Sequence, residues 1–166
     1  MFKRIILAIA VILPMSAFAQ KFGVADLEVI VQLMPEYAQM NAQIEEASKK
    51  YETELGQLTD ELNKLYAEFQ NIANDPNTPD AIKQRRMSEL QERDQKVQQF
   101  KSTAYQDLER LSQQLSQPIQ QKMFDAVKAV GAEEDFTFIF PNGSALYQGT
   151  NVINVTDLVK AKLGLN

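Results

Sequence analysis

With 166 residues but neither histidine nor cysteine, the chain lacks the usual general base, thiol nucleophile and soft metal ligands. Its 22 acidic and 17 basic residues give a net charge of −5, which argues against nucleic acid as a partner. The sequence also has no glycine-rich phosphate loop and no serine nucleophile elbow. We therefore predict a protein that is not an enzyme and has no catalytic, cofactor-binding or metal-binding residues.

The N-terminus has the three parts of a cleavable export signal. Lys3 and Arg4 form a basic start, Ile5–Leu13 is uninterruptedly apolar, and Ala17-Phe18-Ala19 is a small-x-small end. The apolar run is shorter than the ~20 residues that span a bilayer. We predict cleavage after Ala19 and residence in a bacterial periplasm, where a protein of this size without disulfides is common. The mature chain keeps 15 of the 17 basic residues and all 22 acidic ones, so its net charge is −7.

Apolar residues spaced four and three apart predict a long helix from Pro35 to about Asn74. This seam contains Tyr51, Leu55, Leu58, Leu62, Leu65, Phe69 and Ile72. Asp75–Pro79 is a turn signal, with Thr78 as the N-cap of a second helix that runs from Pro79 to about Val130. The two helices are predicted to lie antiparallel as an αα-hairpin.

The second helix carries its own apolar seam, and its charges complement those of the first. Between Glu36 and Asp75 there are nine acids and three bases, whereas between Asp80 and Lys128 there are nine bases and seven acids. The two arms should therefore attract each other. Pro118 removes a backbone donor and is predicted to bend or break the helix there.

The two ends of the mature chain predict a small sheet. Phe22–Leu27 and Phe136–Phe140 have the composition of strands, and Pro141–Ser144 is a turn leading to Ala145–Gln148 as a hairpin partner. Thr156 is the predicted N-cap of a last short helix, closed by Gly164.

The predicted fold class is α+β, mainly α: a long antiparallel helical hairpin projecting from a small β body formed by both chain ends. The predicted domains are a signal peptide (1–19), a β-containing oligomerisation body (20–34 and 119–166) and the hairpin (35–118, tip near 74–80). So small a body without disulfides is expected to be stabilised by oligomerisation.

The order of these elements, together with local motifs, resembles the Skp/OmpH family of periplasmic chaperones. The motifs are Gly23-Val24-Ala25-Asp26, Met34-Pro35-Glu36-Tyr37, Pro118-Ile119 with Ala126–Val130, Phe136–Phe140, and Gly149–Thr156. The resemblance covers the whole mature chain. It implies a homotrimer whose hairpins surround a cavity that holds unfolded outer-membrane proteins without ATP. The better-known members are basic, whereas this chain is acidic. The difference weakens the expectation that this chain attracts acidic clients and lipopolysaccharide as they do.

The residues just past the predicted tip are candidates for contact with a client protein. They combine apolar and basic side chains: Ile82, Lys83, Arg85, Arg86 and Met87. The alternative is that the basic residues are solvated and pair with Glu61 and Glu68 across the hairpin.

Two other functions remain open from the sequence. A structural coiled-coil spacer of the cell envelope would use the same long helices, and a polyanion binder would use the basic residues near the tip. Transient contact with a membrane surface is a further expectation, whereas nucleic acid is not expected as a partner.

Overall fold

The structure is a computed structural model that describes residues 20–165, so the predicted signal peptide lies outside the described residues. The helices are α1 (Leu27–Leu33), α2 (Pro35–Asn74), α3 (Asp80–Glu133) and α4 (Thr156–Lys162). The strands are β1 (Lys21–Ala25), β2 (Phe136–Pro141) and β3 (Ile153–Asn154). The prediction of an α+β fold that is mainly α is confirmed.

The long helices α2 and α3 form the antiparallel hairpin that the sequence predicts. Contacts between them include Glu36 with Lys122, Tyr51 with Asp107, and Glu61 with Arg93. As the residue number rises along α2, its partner's number falls along α3, which is the register of an antiparallel pair. The apolar seam is most deeply buried at Met40, Leu90, Val97, Ala104 and Ile119.

Pro118 does not break α3. The helix continues from Asp80 to Glu133 with the proline inside it, so of the predicted bend or break, the break is wrong and the bend stays a prediction. A proline removes one intrahelical hydrogen bond, but Ile119 directly after it and Met123 one turn further along are buried. Burial of these side chains offsets the lost bond and keeps the helix continuous.

The sheet is parallel, with strand order β2-β1-β3. Gly23 at the centre of β1 allows the close approach of its neighbours, because a Cβ there would lie 3.1 Å from the Phe136 ring and 3.2 Å from Ile139. The predicted turn at Pro141–Ser144 is present, with Gly143 at φ 77°. The predicted strand at Ala145–Gln148 is wrong: these residues are exposed and unpaired, and the third strand is β3.

Thr156 begins α4, but its hydroxyl does not cap the helix. The hydroxyl accepts a hydrogen bond from the Asp26 N–H at 2.9 Å, and the Asn154 side chain accepts one from the Thr156 N–H at 2.9 Å. Thr156 therefore ties the start of α4 to the end of β1, and its predicted role as a helix cap is wrong. Gly164 closes the helix with φ 72°, as predicted.

The described chain divides into two compact units. The sheet unit contains the described residues up to Leu27 together with Ala126–Gly164, and the hairpin unit spans Glu28–Asp125. In the sheet unit, Val24, Ala25, Val155 and Val159 are buried. None of the described helices combines the length and apolarity needed to cross a membrane.

Candidate functional site

The turn at the tip of the hairpin is organised by the carboxylate of Asp75. It accepts hydrogen bonds from the Asn77 N–H at 2.9 Å and from the Thr78 hydroxyl at 2.8 Å. These two bonds, the first more than the second, lower the pKa of Asp75 from its ordinary 3.8. Thr78, the predicted N-cap, thus uses its hydroxyl to hold the turn and positions the first residues of α3.

The basic candidates Arg85 and Arg86 lie on the first turns of α3 and share one acid. Arg85 donates to Glu89 at 3.1 Å and Arg86 donates to the other oxygen of the same carboxylate at 2.7 Å. The hydrogen bonds from Arg86 and then Arg85 lower the pKa of Glu89. Residues 80–89 contain three cations, Lys83, Arg85 and Arg86, and two anions, Asp80 and Glu89, so the first turns of α3 carry a net charge of +1.

The alternative, in which basic residues pair with acids across the hairpin, holds for Arg93 and not for Arg85 or Arg86. Arg93 lies 3.5 Å from Glu61 of α2, whereas Arg85 and Arg86 bond along their own helix. Their side chains remain 73 % and 40 % exposed. The two arginines therefore keep solvent-facing donor groups close to the tip.

An apolar groove of about 430 Å³ lies beside this charge. Tyr66 from α2 and Met87 from α3 line it together with Leu62, Phe69 and Leu90, and three polar residues complete the lining: Asn63, Gln91 and Asp94. Tyr66 is 57 % exposed and Met87 43 % exposed, so their apolar surfaces are open to solvent. Ile82 is similarly exposed, but it does not line the groove.

The sequence does not identify Tyr66 and Phe69 as neighbours of Met87. The antiparallel register brings them together, because residues near position 66 of α2 lie opposite the region after the tip in α3. The signal in the sequence is an aromatic residue at position 66, directly after the seam residue Leu65 and therefore outside the seam itself.

A second and wider groove of about 710 Å³ lies midway along the hairpin. Tyr51 lines this groove, and its hydroxyl donates to Asp107 at 2.9 Å, while Arg110 bonds the same carboxylate. The bond to Asp107 raises the pKa of Tyr51 from its ordinary 10.0. Tyr105 lines the groove and is 73 % exposed, which adds a second exposed aromatic ring to the hairpin.

The sheet unit has an aromatic cluster on one face. Phe138 of β2 stacks against Phe22 of β1 at 6.3 Å and against Phe140 at 5.7 Å between ring centroids. Phe138 is nevertheless 56 % exposed and Phe140 46 % exposed. Large exposed aromatic surfaces of this kind mark sites of association.

The described residues contain no group of three acids that could hold a metal ion. None of the polar or charged residues among those described is buried as a whole, although one carboxylate oxygen, Oε2 of Glu36, is shielded from water without a hydrogen-bond partner. The arrangement of the described residues offers open surfaces for binding.

A comparison with known protein families supports the predicted resemblance. The model of the family described as outer membrane protein (OmpH-like) matches residues 21–163, which is most of the chain. No curated protein gives a significant match. Members of this family are non-enzymatic periplasmic chaperones of outer-membrane proteins. The chain belongs to the OmpH-like family, the Skp/OmpH periplasmic chaperones.

Proposed function

We propose that the mature protein is an ATP-independent holdase of the periplasm, to which residues 1–19 direct it before cleavage after Ala19. It binds unfolded outer-membrane β-barrel proteins in a cavity between the hairpins of a homotrimer and prevents their aggregation. It has no enzymatic activity and needs no cofactor.

The observation that carries this proposal is the juxtaposition of exposed apolar and cationic side chains after the tip. The groove containing Tyr66 and Met87 offers adaptable apolar surface, and Arg85 and Arg86 offer exposed donors. An unfolded outer-membrane protein exposes alternating apolar residues that aggregate in water. Shallow open grooves bind such segments weakly, which permits release where no energy source is available.

We assign client contact to Ile82, Lys83, Arg85, Arg86 and Met87. The charge component is tested with the triple variant K83Q/R85Q/R86Q and an outer-membrane barrel protein diluted from urea. At low salt we expect binding to weaken by about three- to tenfold, and the difference should shrink as salt screens the charges.

The matched control is K49Q/K50Q/K64Q, which removes the three bases of α2 and changes the net charge equally. This control should bind nearly as well as the parent. Equal losses of affinity in both variants would show that net charge alone causes the effect. No loss in either variant would show that the basic residues are not part of the contact surface.

The proposed trimer is supported by the sheet. β2 and β3 are the outer strands, and unpaired edges readily add a strand from another chain. Four large apolar side chains are exposed in β2 or in the segment after it: Phe138, Phe140, Leu146 and Tyr147. We therefore propose that copies associate through the sheet unit and cover these side chains.

A structural spacer is the second candidate, favoured by the length of the helices, which have 40 residues in α2 and 54 in α3. A spacer would leave unfolded clients unprotected, so aggregation assays separate the two functions. Binding to a polyanion, or transient binding to a membrane surface, would appear as salt-sensitive association with heparin or with anionic vesicles.

A further inference from the structure

The face of α3 that points away from the seam carries a long neutral stripe with one interruption. Its members are amide or hydroxyl side chains and all are exposed: Gln84, Ser88, Gln91, Gln95, Gln99, Ser102, Gln106, Gln113, Gln117 and Gln120. Consecutive members are three or four residues apart, except for one step of seven between Gln106 and Gln113. Glu109 and Arg110 occupy that interval.

Helix geometry places this neutral stripe opposite the hairpin seam. Residues two positions apart differ by about 200° around an α-helix. Gln106 is two residues from both Ala104 and Leu108, and Gln117 is two residues from both Leu115 and Ile119. Since those apolar residues form the seam with α2, the glutamines point away from it, although Gln91, Ser102 and Gln106 also line the two grooves of the hairpin.

The outer face of α2 has a different chemistry. There Lys49 bonds Glu45 at 2.6 Å and Lys50 bonds Glu46 at 2.7 Å, with all four side chains well exposed. Paired charges of this kind are a common way to keep a helix face solvated. The outer face of α2 thus mixes paired charges with neutral residues, whereas the neutral stripe of α3 meets charged residues only at its seven-residue step.

The amides of the neutral stripe are available for new partners. Among the described residues, Gln95, Gln99, Gln106, Gln117 and Gln120 make no side-chain hydrogen bond. The Gln113 side-chain amide makes one long hydrogen bond, donating to a Glu109 carboxylate oxygen at 3.4 Å. Removing water from an amide costs far less than removing it from an ion, provided that the amide gains a hydrogen bond.

We propose that the neutral stripe of α3 binds the peptide backbone of an extended client segment. The peptide group is itself neutral and carries one donor and one acceptor, which a glutamine side chain complements. The contact is independent of client sequence and insensitive to salt. This inference rests on the proposed function and assigns part of the holdase contact to amide hydrogen bonds.

The dimensions suit such a ligand. From Gln84 to Gln120 the stripe is about 54 Å long at 1.5 Å per residue. An extended chain covers that length with about 16 residues, which exceeds the ~9–11 residues of one transmembrane β-strand. One hairpin could therefore hold a whole strand of an unfolded barrel together with its turn.

The test places charges on the neutral stripe without changing net charge or helix stability. In the variant Q95K/Q99E/Q113K/Q117E, new lysines lie three or four residues after Glu92 and Glu109, which favours the helix. The control T53E/Q57K/A67E/N71K puts the same charges on the outer face of α2, also at exposed positions. Both are titrated with a urea-unfolded eight-stranded outer-membrane barrel protein in about 0.5 M salt, where charges are screened within roughly 4 Å.

We expect the stripe variant to bind about tenfold more weakly than the parent and the control to bind within about twofold of it. Equal affinity in all three proteins would overturn the proposal while leaving the holdase function intact. A change in oligomeric mass in the stripe variant alone would overturn it in favour of contact with a second copy. Failure of the parent to bind the barrel protein would overturn the proposed function and this inference together.

Discussion

Single carboxylates fix the geometry of the hairpin at its tip and in its middle. Asp75 holds the turn through Asn77 and Thr78, and Asp107 joins α3 to Tyr51 of α2. Each is a charged acceptor with a neutral donor, an arrangement that strengthens the hydrogen bond. Both contacts are at least partly exposed to water, so each adds only a modest amount to the free energy of unfolding.

The first prediction concerns the pH dependence of the tip turn. Because hydrogen bonding lowers the folded-state pKa of Asp75 below 3.8, the stabilisation is complete above that value and is lost as pH falls through the lowered pKa. Hydrogen exchange at the Asn77 amide, corrected for its intrinsic rate, should therefore stay protected from pH 7 to about 4 and lose protection below. In D75N that pH dependence should disappear. An equally steep loss in D75N would show that another group controls the turn.

The second prediction concerns Tyr51. Its hydroxyl donates to Asp107, which favours the protonated phenol and raises its pKa above 10.0. The contribution of this bond to stability is present at neutral pH and is lost as pH rises through the raised pKa. Ultraviolet titration of the tyrosines should show a late step that is absent in Y51F and moves to lower pH in D107N. An unchanged titration curve in D107N would contradict the assigned bond.

Thr78 and Thr156 show the limit of sequence analysis at this scale. Both were predicted to be helix caps because threonine before a helical segment usually has that role. Each does lie at the start of a helix, but their hydroxyls bond Asp75 and the Asp26 N–H instead. The partner of a hydroxyl depends on which groups the fold brings near, and the Asp26 contact joins residues 130 positions apart.

At the scale of elements, the hairpin was predictable and the sheet only in part. The seam and the turn at Asp75–Pro79 are local signals, and α2 has the predicted limits of Pro35 and Asn74. The hairpin strand at Ala145–Gln148 was predicted from equally local signals, yet β2 pairs with β1 from the other end of the chain. A turn signal predicts a reversal, but it does not specify which strand becomes the neighbour.

The third prediction follows from the continuity of α3 through Pro118. Replacement by alanine restores the missing backbone donor within an existing helix, so P118A should raise the free energy of unfolding by about 2–3 kcal/mol. Urea denaturation followed by circular dichroism measures the change. The neighbouring exposed substitution Q117A should alter stability by less than about 0.5 kcal/mol. A decrease in stability for P118A would indicate that the proline has a role that the helix requires.

At the scale of the whole molecule, we expect copies of the chain to assemble through the sheet unit. Phe138 is 56 % exposed on an outer strand, and burying such a side chain between copies stabilises the oligomer. The fourth prediction is that light scattering gives a trimer mass for the parent and a lower mass for F138K. Y105K, which changes a more exposed aromatic residue of the hairpin unit, should remain a trimer. A monomeric parent, or a trimeric F138K, would contradict the proposed interface.

The central claim is that this member of the OmpH-like family holds unfolded outer-membrane proteins. The most direct measurement follows light scattering after an unfolded outer-membrane barrel protein is diluted from urea, with and without the mature protein. We predict that scattering is suppressed without ATP and that suppression saturates near one trimer per client. Undiminished scattering in the presence of the folded oligomer would contradict the claim and favour a structural spacer.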